Sequence, residues 1–310
     1  MKTHTENIFL LLPVFLLLFY GCIKEDGITP NWPKKADLPG NARDFAVGFS
    51  IGSKGYVGTG ENGSYMKDFW EYEPAANVWT EKANFGGTAR GYATGFAVGN
   101  KGYIGLGYDG SSYKTDMWEY DPAANSWIQK TSLPAAARDG AAAFVAGNKA
   151  YLGTGWNGTR LNDFWEFYPD SNQWTQKAPF PGSARSFCSA FAIGSKGYFG
   201  IGISGQYNSD FYEYNPAGNT WAQKANFPEA RAYASSFSIG DKGYICTGTD
   251  GNKYQNDLWE YDASADQWIQ REEFPGSSRK QAVGFSVNGR GYIGTGYNGD
   301  YLKDIFEYWP

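Results

Sequence analysis

From residue 32 onward the chain alternates short apolar or aromatic runs with short polar punctuation, and this alternation recurs six times. Arg43, Arg90, Arg138, Arg185, Arg231 and Arg279 stand at spacings of 46 to 48 residues, each opening the same phrase. After Arg90 comes Gly-Tyr-Ala-Thr-Gly-Phe-Ala-Val98, then a Gly-Asn-Lys-Gly turn, then Tyr103-Ile-Gly-Leu-Gly107. A polar Asp-Gly segment, Asp116-Met-Trp-Glu-Tyr120, a Pro-containing turn and Trp127-Ile-Gln-Lys130 complete the unit. Each run has strand length, is rich in β-branched or aromatic residues, and is bounded by Gly, Asn, Asp or Pro. The pattern predicts four short antiparallel strands per unit, a to d, with no helical stretch. Strand a is opened by the Arg, strand b ends at Gly60, Gly107, Gly155, Gly202, Gly248 or Gly296, and strand c begins at Asp68, Asp116, Asp163, Asp210, Asp257 or Asp304.

The strand count carries topological information. The d-strand tryptophans are Trp32, Trp79, Trp127, Trp174, Trp221 and Trp268, so the first precedes the first a strand, while Pro310 directly follows the sixth c strand. A spare N-terminal d strand and a sixth unit without one predict a closed ring, which removes the exposed edges of an open array. The expected fold is all-β: a six-bladed β-propeller of four-stranded antiparallel blades over residues 32–310, closed by the N-terminal d strand.

These residues resemble the kelch repeat. The Tyr-Ile-Gly-x-Gly of strand b, the Trp-Glu-Tyr-Asp-Pro of strand c and the Trp upstream of each Arg match that family's Gly-Gly, Tyr and Trp signature from residue 32 to 310. The sequence departs from it in splitting the double glycine by one residue (Gly58-Thr-Gly60) and in placing Cys246 at the first Gly of the fifth copy. The resemblance speaks to fold; kelch propellers host many unrelated functions.

Composition narrows the chemistry. Together, 41 Gly, 12 Trp, 23 Tyr and 21 Phe imply a packed core and exclude disorder. A net charge of −5 supplies no basic field, so no nucleic-acid partner is expected. The single histidine, His4, falls in the N-terminal segment. There, Lys2 and the apolar run from Ile8 to Tyr20 read as a signal peptide over residues 1–21. Gly21-Cys22 resembles a bacterial lipobox, with Cys22 the acylated residue, although Phe19 and Tyr20 depart from the usual Leu and small residue. Lys24-Glu25-Asp26 looks like the acidic surface-export signal of some Gram-negative lipoproteins, and residues 22–31 read as a tether. The expected location is the bacterial outer membrane, through the lipid anchor alone and with possible surface exposure. An ordinary cleaved signal peptide with an incidental Cys is the alternative.

A mature chain without His has no Ser-His-Asp triad, imidazole-bound zinc or His base, so no cofactor, metal or catalytic residue is expected. Galactose oxidase shares the kelch propeller, but the histidines and Cys-linked Tyr of its copper site have no counterpart here. Residues repeated in all six copies read as serving the blade. These are the Arg set, the strand-c Asp set and Glu71, Glu119, Glu166, Glu213, Glu260 and Glu307, with the strand-d cations Lys35, Lys82, Lys130, Lys177, Lys224 and Arg271. The Arg residues have a second reading, an anion-binding ring at the channel mouth. Ala46, Ala93, Ala141, Cys188, Ala234 and Ala282 suit the crowded innermost strands, and Cys188 and Cys246 read as small core residues, with a disulfide between them an open alternative.

Recognition is expected where the copies differ, on b–c segments that begin at Glu61, Tyr108, Trp156, Ile203, Thr249 and Tyr297. Trp156 beside Asn157 and Arg160, with Tyr108 and Tyr297 in other copies, is the candidate ligand-binding set, an aromatic platform suited to sugar rings. The function expected is non-catalytic binding of a glycan or of an envelope or extracellular protein by a monomer. A sialic acid mutarotase-like enzyme, whose family also uses a six-bladed kelch propeller, is the alternative.

Overall fold

The structure, a computed structural model, describes Met1 and residues 32–310. Cys22, the signal segment and the tether lie outside the described residues. Six four-stranded antiparallel sheets stand around a central axis, and the described residues include no helix. In blade one, strand a is Val47–Ile51, strand b Lys54–Gly58, strand c Phe69–Glu73 and strand d Val78–Glu81, hydrogen-bonded in sequence order. Blades two to five repeat the plan. In blade six the a, b and c strands are Val283–Val287, Arg290–Gly294 and Ile305–Tyr308, and its outer strand is Lys34–Lys35 from the other end of the chain. Lys34 pairs with Phe306 and Lys35 with Ile305, so the ring closes as the strand phase predicts.

Three boundaries differ from the sequence reading, the slightest being strand c, which begins one residue after its Asp in every blade, at Phe69 in the first. Strand b stops at the first glycine of the split pair rather than the second, because the residue between them is left-handed. Thr59, Leu106, Thr154, Ile201, Thr247 and Thr295 all have φ between 50° and 65°, and the following glycine has positive φ as well. A left-handed residue cannot continue a strand, and for β-branched Thr or Ile it is a costly conformation. Each conserved-phase Arg also lies outside strand a, four residues before its first position.

The core sits between blades, where the aromatic residues interleave. Phe69, for instance, packs edge-on against Tyr120 and Trp127 of the next blade at 4.8 and 5.0 Å. Glycine at the start of strand b admits this approach: a Cβ on Gly102 would stand 2.5 Å from the Phe49 ring of the neighbouring blade. Across each blade a Tyr–Glu pair links strands b and c, as in Tyr56 Oη donating to Glu71 Oε2 at 2.7 Å, and a strand-d cation adds to it, as in Lys177–Glu166 at 3.4 Å. Both cysteines in the propeller are free thiols, Cys188 beside the channel and Cys246 fully buried.

Four sets of hydrogen bonds join neighbouring blades, one of them the Arg N–H donating to a b–c carbonyl of the preceding blade at 3.0–3.2 Å, from Arg90→Met66 round to Arg43→Leu302. The second-glycine N–H donates to the Arg carbonyl of the next blade at 2.7–2.8 Å, from Gly60→Arg90 round to Gly296→Arg43, which closes the circle. Nearer the axis, the residue two after each Arg donates to its counterpart in the preceding blade at 2.8–3.4 Å, again as a closed circle from Tyr92→Phe45 round to Phe45→Gln281. At the rim, Asn77, Asn125, Asn172, Asn219 and Asp266 accept a backbone N–H from the preceding blade, and a strand-d Trp indole donates back to it.

Candidate functional site

The b–c and d–a connections share one end of the ring, where bridges such as Asp44–Glu61, Asp139–Trp156 and Lys280–Tyr297 tie them together. The six Arg side chains lie beneath this surface and are 0–1% exposed. Each grips the strand-c Asp of its own blade through both terminal nitrogens, for example Arg138 to Asp163 at 2.5 and 2.7 Å. The same Nη1 donates to the carbonyl of the left-handed residue between the glycines, Thr154 O at 3.0 Å in blade three. A single guanidinium therefore ties together the d–a connection, the strained b–c corner and strand c. Burial alone pushes the aspartates up; the Arg hydrogen bonds and charge outweigh it and hold Asp68, Asp116 and Asp163 below the ordinary carboxylate range. All six forks are engaged by protein acceptors below the surface, so the geometry makes them clasps of the blade.

Above the clasps, the residue two after each Arg turns toward the axis. Phe45, Tyr92, Gly140, Phe187, Tyr233 and Gln281 occupy this position, all with φ between 47° and 60°. Four of them form an aromatic plug: Phe45 meets Tyr92 at 3.7 Å, Phe187 meets Tyr233 at 4.3 Å, and Phe45 reaches Phe187 at 5.8 Å across the ring. Gly140 is required here, since a Cβ would strike the Phe187 ring at 2.5 Å. The half-buried upper face of the plug forms the floor of the mouth.

The polar groups around this floor break the six-fold symmetry. Between blades six and one, a depression of about 360 Å³ is lined by the plug together with Asp44, Glu61, Lys280, Gln281, Tyr297 and Tyr301. Asp44 is only 4% exposed, and its Oδ1 has no hydrogen-bond partner among the described residues. Burial, then the charge of Glu61 and a hydrogen bond shared with it, push the Asp44 carboxyl up to about 7, against a smaller opposing pull from Lys280. Glu61 accepts the Gly63 N–H at 2.7 Å. Asp139, its equivalent two blades on, is likewise buried with an Oδ1 unpartnered among the described residues, and burial alone raises it to about 7. Among the described residues no group of three or more His, Cys, Asp or Glu is placed to hold a metal ion.

The five residues expected to bind ligand all lie on this end of the ring, but only Tyr297 lines the depression. Trp156 and Arg160 form a pair with each other: the guanidinium lies 5.2 Å from the ring centroid, and Nε donates to Ile203 O at 3.0 Å. Asn157 is spent on its own turn, where Oδ1 accepts from Thr159 N and Oγ1. Tyr108 donates to Gly110 O and packs against Tyr113 and Tyr65. The sequence reading missed the plug and the partners of the depression, Asp44, Glu61 and Lys280, as candidate binding groups. The signal was present: the two positions after each Arg vary from copy to copy as much as the start of the b–c segment does.

Comparison with known proteins bears on the fold. No curated protein matches the chain. Among solved structures, the one described as "Structure of YjhT" superposes with a TM-score of 0.75 over 88% of this chain and 95% of that one, at 18% identity. That likeness speaks for the propeller alone. The family model described as "KLHDC2/KLHL20/DRC7 Kelch-repeats domain" matches residues 31–202, more than half of the chain. With six blades built on the repeat and that match across its first half, the chain belongs to the kelch-repeat family.

Proposed function

We propose that this kelch propeller is a binding module that takes a glycan or a protein partner at the mouth formed by its b–c and d–a connections. One observation carries the reading. The mouth is where equivalent positions differ between blades and where buried carboxyl oxygens lack partners, whereas beneath it each repeated Arg fork closes on its Asp, with Arg231 Nε alone of the Arg set left unpartnered among the described residues. An aromatic floor bordered by mixed charges suits a polyhydroxylated ring or an extended peptide. In this reading Cys22 carries the lipid that holds the propeller at the outer membrane, with the binding end free to meet envelope or extracellular partners.

The test uses full-length protein extracted from membranes, applied to a glycan array and to an envelope pull-down. Binding is expected to fall at least tenfold in a Tyr92→Ala/Trp156→Ala double variant and to stay unchanged when Ser53, at the opposite end of the ring, is replaced by Arg. The reverse pattern would place the site elsewhere. Mass spectrometry of the same preparation is expected to show a diacylated N-terminal Cys22; an unmodified N-terminus would remove the anchor.

A second reading, a sugar enzyme of the mutarotase type, draws support from the Asp44–Glu61 pair. A carboxyl held near 7 beside a second carboxyl can both give and take a proton at neutral pH, as ring opening and closure of a sugar require. Accelerated anomeric exchange of freshly dissolved sialic acid at catalytic protein levels, lost in Glu61→Gln, is the outcome it requires.

A further inference from the structure

Lys280 is unusual among the cations of this molecule. It is half-buried, and its ammonium makes no hydrogen bond or salt bridge among the described residues. Instead it lies 5.4 to 5.8 Å from the centroids of Tyr233, Tyr254 and Tyr297. Asp44 and Glu61 line the same depression without pairing to it. A donor-only ammonium and acceptor carboxylate oxygens thus stand in one cavity, each with unused capacity. Its volume falls within the roughly 300–1,000 Å³ of small-ligand clefts, and its walls are tyrosine rings.

We infer that the depression between blades six and one is a subsite for one neutral sugar ring, in which Lys280 and Glu61 hold two adjacent hydroxyls and the tyrosine walls pack against the ring. The inference rests on the glycan reading of the mouth and adds to it a position and a ligand class. A hydroxyl both donates and accepts, so a vicinal pair can accept from Lys280 through one oxygen while donating to Glu61 through the other. Neither a lone carboxylate nor a lone amine can do both. The charge balance points the same way. The Lys280 ammonium is offset by the Glu61 carboxylate, while burial favours the neutral form of Asp44, which leaves little net charge to select an ion of either sign. Tyr301, whose hydroxyl is 3.5 Å from Glu61 Oε2, holds that carboxylate toward the cavity. Trp156 and Arg160 lie on the far side of the mouth, where only a longer ligand would reach them.

Calorimetric titration with methyl glycosides of glucose, galactose and mannose, with their 2- and 3-deoxy analogues, and with methyl glucuronide and N-acetylneuraminic acid tests this directly. At least one neutral glycoside is expected to bind, with a tenfold or greater loss when one of its adjacent hydroxyls is removed. Lys280→Met and Glu61→Gln are each expected to weaken it tenfold or more, while Ser53→Arg at the opposite end of the ring changes it less than twofold. Both variants should fold, since the Lys280 ammonium makes no hydrogen bond among the described residues and Gln retains the acceptor for Gly63; circular-dichroism melts check this. Neutral glycosides that bind equally well to Lys280→Met and Glu61→Gln would overturn the subsite and leave the glycan reading standing. Preference for the acidic sugars would overturn the ligand class. Absence of any monosaccharide binding would overturn the subsite, and the wider reading falls only if the array and pull-down are also empty.

Discussion

The buried clasps and the mouth above them are built from neighbouring positions of one repeat, yet they obey different rules. In the clasp, Arg, Asp and a carbonyl recur in all six blades, and each fork is matched by its acceptors. One residue further along the chain, the same repeat carries Asp44, Gly91, Asp139, Ser186, Ala232 and Lys280, and two of these carboxyls lack a partner for one oxygen. The contrast separates two uses of buried charge. A charge that closes its own hydrogen bonds stabilises the blade; one left open costs stability and has to be explained by what it meets.

The comparison can be broken at three points. The largest effect is expected from deleting residues 32–38, which removes strand Lys34–Lys35 and the buried Trp32 and Leu38. Burial of those two side chains alone is worth roughly 3–6 kcal/mol, so a large drop in the calorimetric melting temperature should follow; an unchanged melt would mean that the ring does not depend on its closing strand. Next, Arg138→Ala strands Asp163 beside an unsatisfied Thr154 carbonyl. The cost expected for one broken buried pair is about 3–5 kcal/mol in a denaturant melt, with no change in ligand affinity per folded molecule. A lost affinity in a protein that still folds would make the Arg ring part of the site.

The smallest effect has the opposite sign. The folded state holds the Asp44 proton up to about pH 7, whereas the unfolded chain has already released it above the ordinary carboxylate range. The stability this contributes is complete below that range and is lost as pH rises through about 7. Asp44→Asn should therefore raise stability by about 1–2 kcal/mol at pH 8 and by much less at pH 5, read from melts at the two values. A variant less stable at pH 8 would show that Asp44 is satisfied in a way the geometry does not reveal.

Much of this architecture was legible in the sequence, because a six-fold repeat states the same physical requirement six times. The Arg positions, the strand-c Asp, the split glycines and the displaced d strand all followed from spacing. The misread corner at Thr59 and its equivalents shows the limit: nothing local in Gly-Thr-Gly announces a left-handed threonine, since its conformation is fixed by a guanidinium donated from 16 residues upstream. The mouth was harder still. Trp156 stands out in the sequence as the solitary Trp of its segment, but its own Arg160 lies against its ring. Lys280 looks like any surface lysine until the fold brings Tyr233, Tyr254 and Tyr297 around it. Pairings between blades depend on curvature around the axis, which one repeat does not encode.

The hydrogen bonds between blades carry one more consequence. The inner circles are complete, but at the rim the bonds among the described residues span five of the six seams. At the seam between blades five and six no rim bond of this kind stands among the described residues, and the Trp32 indole N–H finds no acceptor there. Among the described residues that seam is joined by the inner circles and by the packing of Trp32 on Phe274 at 5.5 Å. Above it Lys280 of blade six lies over the Tyr254 ring of blade five at 5.4 Å, so one wall of the mouth is itself a clasp across that seam, made by a cation on a ring instead of by a hydrogen bond.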